Sequence, residues 1–199
     1  MKNWLKETAL EGALVRLKPL QREHREDLLN AAADGELWNL WFTSVPSEKT
    51  VDSYIDFALN ESSAERALPF VVFDKSTNKV IGSTRYCNAT PSHRRLELGY
   101  TWYSKTYQKT GVNTECKFLL LTHAFETLNC IAVEFRTHWH NIASRNAITR
   151  LGAKQDGVLR NHQIDADGIL RDSVVFSILQ EEWPAVRKSL RFSMERFNR

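Results

Sequence analysis

The segment Tyr107–Leu128, YQKTGVNTECKFLLLTHAFETL, constrains this chain more than any other, together with RRLELGYTWY just before it. Phe118, Leu121, Phe125 and Leu128 recur at three- and four-residue spacing and define one face of a helix. Val112, Cys116, Leu119 and Leu120 add a second apolar face, which predicts a helix buried on more than one side. Gln108-Lys109-Thr110-Gly111 precedes it as a polar, cationic turn. A strand that passes through such a turn into a buried helix creates an anion site, because the free N–H groups of the first turn and the helix dipole both point at the turn. A phosphate-bearing cofactor is the natural occupant. The same connection is also the commonest one in any α/β protein, and Glu115, in the first turn, would repel a phosphate. Both readings stand at this point.

Taken in order, residues 1–11 read as a lead-in, and Val15–Lys18 as a short strand that Pro19 ends. Arg22–Ala33 reads as a helix stopped near Gly35, Glu36–Ser47 as a short helix or turn dense in aromatics, and Glu48–Arg66 as a second helix. The period then changes. Leu68–Phe73, Val80–Tyr86 and Leu96–Tyr103 read as three meander strands, with turns at Lys75–Asn78 and Thr90–Arg94. After the long helix, Ile131–Thr137 is a strand, so the pair around that helix forms a parallel crossover. Asn141–Leu151 is a helix with Asn141 as its N-cap and Gly152 as its left-handed stop. Val158–Ile164 and Leu170–Leu179 pair as a hairpin across Asp165-Ala166-Asp167-Gly168, and Glu181–Arg199 closes the chain as a basic amphipathic helix. Residues 1–199 are read as one domain, with 1–11 as the lead-in and 183–199 as the terminal helix.

Composition narrows the function classes. A net charge of +3 on 199 residues does not suggest a nucleic-acid or membrane partner. The three cysteines lack CxxC spacing and suit a reducing cytoplasm. There is no apolar run able to cross a bilayer and no signal-peptide core near the start. A cytoplasmic monomer or homodimer is expected.

The order of elements resembles the GNAT superfamily of acetyl-CoA-dependent N-acetyltransferases, and within it the branch that acetylates the N-termini of ribosomal proteins (RimJ/RimL-like). Three stretches carry the resemblance: LELGYTWYSKTYQKTGVNTECKFLL, NIASRNAITRLGA, and the KQDGVLRNH…DGILRDSVVFSIL hairpin. It implies a mixed α/β (α+β) fold: a mostly antiparallel twisted sheet with one central parallel crossover and helices on both faces. The co-substrate would be acetyl-CoA, the acceptor an amine (a peptide N-terminus or a small molecule), and no metal would be needed. The pyrophosphate would lie on Gln108, Lys109, Thr110, Gly111, Val112, Asn113 and Thr114. The pantetheine arm would lie between two splayed strands, against the backbone of Thr101, Trp102 and Tyr103, and near Asn141. Asn113 departs from the family's Gly/Ala at the end of the loop motif. Ile148 stands where many members carry a tyrosine that protonates the leaving thiolate.

Ser144 is the best substitute for that donor, since it shares a helix face with Ile148 and Leu151; a small residue at a helix start is the competing reading. A thiol of pKa about 8.5 needs only a weak donor. Glu97 is the leading candidate base, against a cross-strand ion pair with Arg85 or Arg94. Strict alternation puts Leu96, Leu98, Tyr100 and Trp102 on one face and Glu97, Thr101 and Tyr103 on the other. Trp38, Trp41, Phe42 and Tyr54 line either an acceptor pocket or an aromatic core. His138-x-His140 lacks a third ligand nearby, and Asp165-x-Asp167-Gly168 lacks a calcium loop's terminal Glu, so no metal is expected. A non-catalytic acyl-CoA-binding module of the same fold is the alternative, and nucleic-acid binding has only the basic last helix behind it.

Overall fold

The computed structural model describes residues 4–165 and 167–197. One eight-stranded sheet is built from β1 (Leu10–Glu11), β2 (Val15–Pro19), β3 (Leu68–Asp74), β4 (Val80–Thr90), β5 (Arg95–Tyr103), β6 (Ala132–His138), β7 (Lys154–Ile164) and β8 (Leu170–Leu179), in the order β1-β2-β3-β4-β5-β6-β8-β7. The α-helices are α1 (Arg25–Ala33), α2 (Val51–Ser63), α3 (Gly111–Thr122), α4 (Ile142–Arg150) and α5 (Trp183–Phe197). Of the expected elements, Met1–Asn3 of the lead-in, Ala166 of the hairpin turn and Asn198–Arg199 of the last helix lie outside the described residues.

Neighbouring strands are antiparallel except β5 and β6, which α3 joins as the parallel crossover. The strand sequences explain which faces are covered. In β3, Leu68, Phe70 and Val72 enter one apolar cluster while Val71 and Phe73 enter another. A strand covered on both sides carries a continuous apolar run, as LPFVVF does. The first cluster packs the sheet against α3 (Leu120, Leu121), α4 (Ile148) and α5 (Trp183). The second packs it against α1 (Leu28) and α2 (Ile55). A fully buried Phe or Leu such as Phe70 or Leu120 contributes about 2 kcal/mol relative to exposure.

The helix ends follow local chemistry. The Thr110 hydroxyl accepts from the Val112 N–H (3.3 Å) to cap α3, and Asn141 Oδ1 accepts from the Ser144 N–H (3.0 Å) to cap α4. Gly152, at φ +97°, ends α4 in the left-handed region that glycine tolerates. The long helix is shorter than its apolar pattern suggests: after Thr122 it widens into a π-turn over His123–Thr127, where the Tyr86 hydroxyl donates to the Leu120 carbonyl (2.6 Å). The strand β1 was not expected.

Two expectations are overturned. Glu115 does not face the turn before α3. Its carboxylate is buried and accepts from the backbone N–H groups of Ala13 (2.8 Å), Leu14 (2.7 Å) and Val15 (2.9 Å), closing the β1–β2 turn. A Cβ on Gly12 would sit 2.5 Å from the Glu115 carboxyl carbon, so only glycine allows this approach. The strict alternation in β5 also fails. Opposite β4, Arg85 pairs with Gly99 and Ser83 with Trp102, so Thr84 faces both Tyr100 and Thr101. Tyr100 takes φ +51° and forms a β-bulge there. Beyond it the faces exchange: Trp102 joins the α1/α2 side, while Tyr103 joins Leu96 and Leu98 on the α3 side.

Candidate active site

The parallel pairing of β5 and β6 stops early. Arg95, Leu96 and Glu97 pair with Ala132, Val133 and Glu134, and there the register ends, although β6 stays paired to β8 as far as His138. A wedge therefore opens between residues 98–103 and 135–138, with strand-edge hydrogen-bonding groups facing into it. The loop from the end of β5 leads into the N-terminus of α3. There the first-turn amides of Gly111, Val112 and Asn113 have no intrahelical acceptor, and that of Val112 is turned to the Thr110 hydroxyl. The left-handed residue of the loop is Lys109 (φ +61°), not Gly111, and its side chain is exposed. Gln108 folds back, its amide donating to the Tyr103 carbonyl (2.9 Å), and so ties the loop to the end of β5. Asn113 and Thr114 are half-buried in the same turn. A wedge leading to a helix N-terminus suits a long ligand with an anionic end.

The two candidate catalytic side chains belong to opposite faces of the sheet. Ser144 is half-buried in the first turn of α4, on the helix face of Ile148 and Leu151, both of which sit in the α3-side cluster. Glu97 projects toward the α1/α2 side, where its carboxylate accepts from the Asn88 amide (2.7 Å) and lies 3.6 Å from the Arg136 guanidinium. Its ion-pair partner is thus Arg136, not Arg85 or Arg94. Burial raises the Glu97 pKa; the Asn88 hydrogen bond and Arg136 pull it down, and Glu134 pushes it up. A base of raised pKa is better matched to an amine proton than an ordinary carboxylate.

The aromatic candidates divide. Trp41 is exposed and packs edge-on against His138 (4.9 Å) and Phe42 (5.6 Å). The Tyr54 hydroxyl donates to Ser83 (3.2 Å) and accepts from the Trp102 indole (3.3 Å). Trp38 does not join them. It lines a separate depression with Leu29 and Ala33 of α1 and Glu48, carried there by the short turn Leu37–Asn39. Among the described residues, no group of three or more His, Cys, Asp or Glu is arranged to hold a metal ion. No helix there is long and apolar enough to cross a membrane.

Lys117 escaped the sequence reading, which took Arg85 only as a possible partner of Glu97 and Tyr100 only as a residue of one β5 face. Lys117 is buried in α3, with its ammonium donating to the Thr101 hydroxyl (2.6 Å) and lying 3.5 Å from that of Thr84, at the bulge. Burial pulls its pKa down to about 7. A lysine inside the apolar run CKFLLL was the available signal. Arg85 is 1% exposed at the centre of β4, and a charge within a strand expected to lie mid-sheet was its signal. Tyr100 packs over it.

A splayed parallel pair, a crossover helix with its N-terminus at the mouth of the splay, and helices on both faces define an acetyltransferase fold. Residues 15–154 match the family described as the acetyltransferase (GNAT) domain, and the chain belongs to that family. The chain is 27% identical over 142 residues to the uncharacterized N-acetyltransferase p20 of Bacillus licheniformis, a stretch covering 71% of this chain and 77% of that protein. The structure superposes on a GCN5-related N-acetyltransferase from Brucella melitensis with a TM-score of 0.83 and 28% identity, over 95% of this chain and 86% of that one. It shares the fold of Mycobacterium smegmatis RimJ in complex with CoA-disulfide (TM-score 0.76, 21% identity, 94% of this chain and 93% of the other). The chain is an acetyltransferase of a family that uses acetyl-CoA.

Proposed function

We propose that the protein moves the acetyl group of acetyl-CoA to a primary amine, either a protein N-terminal α-amine or a small-molecule amine, by direct attack in a ternary complex. The observation that carries this reading is the wedge between β5 and β6, which ends at the start of α3. Bound acetyl-CoA would supply the acyl thioester. The first-turn amides of α3 and the Lys109 ammonium bind the pyrophosphate, with Gln108, Thr110 and Thr114 shaping the loop. The backbone of Thr101, Trp102 and Tyr103 and the side chain of Asn141 hold the arm. Glu97 removes the amine proton through water from the α1/α2 side. Ser144 donates a hydrogen bond to the departing thiolate from the α3 side. An α-amine, pKa about 7.8, is already roughly one part in seven neutral at about pH 7 and needs only a modest base. Tyr54, Trp41 and Phe42 border the acceptor. The three cysteines are buried free thiols, which suits work in the cytoplasm.

The test is thermal melting with and without acetyl-CoA, followed by free-thiol release over a panel of amines and peptides. Stabilisation with thiol release for one acceptor class is expected. Stabilisation without release on any amine would overturn the transfer to amines.

A further inference from the structure

Arg85 is not used by the chemistry above, and its surroundings are unlike those of any other charge among the described residues. It lies on β4 between Pro69 of β3 and Gly99 of β5, and is 1% exposed. None of its three guanidinium nitrogens has a hydrogen-bond acceptor among the described residues. Its neighbours are rings: Tyr100 at 4.0 Å, Tyr54 at 5.0 Å and Phe57 of α2 at 5.7 Å from the guanidinium carbon. Aromatic faces attract a cation, but they offer no acceptors to the N–H groups at the edge of the guanidinium plane. A guanidinium is a permanent cation with five such donors in a flat fork, and leaving them unmatched away from water is unfavourable.

The cover over this fork is the exposed part of the cluster. Tyr100 is 40% and Phe57 48% exposed, and their rings lean on each other at 6.1 Å. Tyr100 also holds a left-handed backbone that bulky residues avoid. On β8, the Nε of Arg171 is likewise buried without a hydrogen-bond partner among the described residues. Glu97 stands on the same face as Arg85, two residues from Gly99, yet its partners are Asn88 and Arg136.

We infer that Arg85 is the anchor for a carboxylate carried by the acceptor amine, which enters as the Tyr100 and Phe57 rings swing aside. The planar fork matches a carboxylate with two parallel hydrogen bonds. With the carboxylate on Arg85, the amine of the same molecule is directed to the Glu97 side of β5. The acceptor class is therefore a primary amine with a carboxylate a few bonds away. A free amino acid and a peptide with an acidic residue at or next to its N-terminus share that chemistry. This rests on the amine-transfer reading above, but its binding test does not need turnover.

The experiment is melting of the acetyl-CoA-loaded protein with glutarate, with glutaramide and with sulfate, on wild type, Arg85→Met and Arg85→Lys. The expected result is a rise in Tm with glutarate alone, reduced in Arg85→Lys and absent in Arg85→Met. Equal responses to glutarate and glutaramide in wild type would overturn the assignment without any variant, and so would a sulfate response matching that of glutarate. In thiol release, carboxylate acceptors should exceed their carboxamide counterparts in kcat/KM by roughly tenfold or more. Comparing glutamate with an Asp-Ala dipeptide amide then separates the two sources. If no amine releases thiol, the transfer reading fails, and the glutarate arm still decides Arg85.

Discussion

Beneath α3 the sheet buries a carboxylate and an ammonium; beneath α2 it buries a guanidinium. Glu115 takes three backbone N–H groups from the β1–β2 turn, and Lys117 takes the Thr101 hydroxyl and reaches toward that of Thr84. Arg85 has ring faces around it and no acceptor among the described residues. A buried charge whose hydrogen bonds are filled from within the chain holds structure together. One whose donors are unfilled gains only when something else arrives. The contrast separates charges whose hydrogen bonds folding fills from one whose hydrogen bonds folding leaves open.

The largest effect should come from removing a charge whose hydrogen bonds are filled. Glu115→Ala would strand three amides under the β1–β2 turn and should cost about 4 kcal/mol of stability, read by urea unfolding. An unchanged unfolding midpoint would remove Glu115 from the structural side of the comparison. Lys117 sharpens the same contrast through pH. Its folded pKa of about 7 lies below the ordinary lysine value of about 10.4, so between these values the unfolded chain binds more protons than the folded one. Stability should therefore rise with pH across that window, by up to a few kcal/mol at about 1.4 kcal/mol per unit. Lys117→Met should flatten this rise in melts taken from pH 7 to 10.

Two smaller effects test whether the faces also divide the chemistry. Glu97→Gln should lower kcat/KM by about 100-fold. It should also abolish the limb of the pH profile that rises through the elevated Glu97 pKa, since only the ionised carboxylate accepts a proton. Full activity with an unaltered profile would make Glu97 a structural partner of Arg136. Ser144→Ala, on the other face, should lower kcat by about tenfold for every acceptor alike, because the thiolate it assists is the same for all of them. A loss that varied with the acceptor would move Ser144 to the amine side.

Much of this was legible in the chain because it depends on local spacing. The apolar faces of α3, the Asn141 cap, the Gly152 stop and the LPFVVF run each declare themselves within a few residues. The face assignment of β5 did not, because the bulge at Tyr100 is a mismatch between two strands and leaves no mark in either alone. Glu115 and Arg85 were misjudged for a related reason. The first finds its partners about 100 residues away in the β1–β2 turn, and the second is enclosed by rings from α2 and β5. Trp38 was grouped with Trp41 on composition, but Trp38 sits in the short turn Leu37–Asn39 and the extended Leu40 carries the chain on to Trp41. The parallel crossover was expected; that its pairing ends at Glu97 and Glu134 follows from the register of the whole sheet.

That early end has a consequence for the molecule's behaviour among its own kind. Strand edges that lack partners invite other chains to add themselves, and proteins usually blunt them with charges, bulges or short length. Here the unpaired stretch lies in the interior of an eight-stranded sheet, with β4 on one flank and β8 on the other. Another protein's strand has no lateral approach to it, whereas a narrow, flexible ligand can thread in from the open end. The fold thus offers strand-like pairing to a small molecule while withholding it from a neighbouring polypeptide.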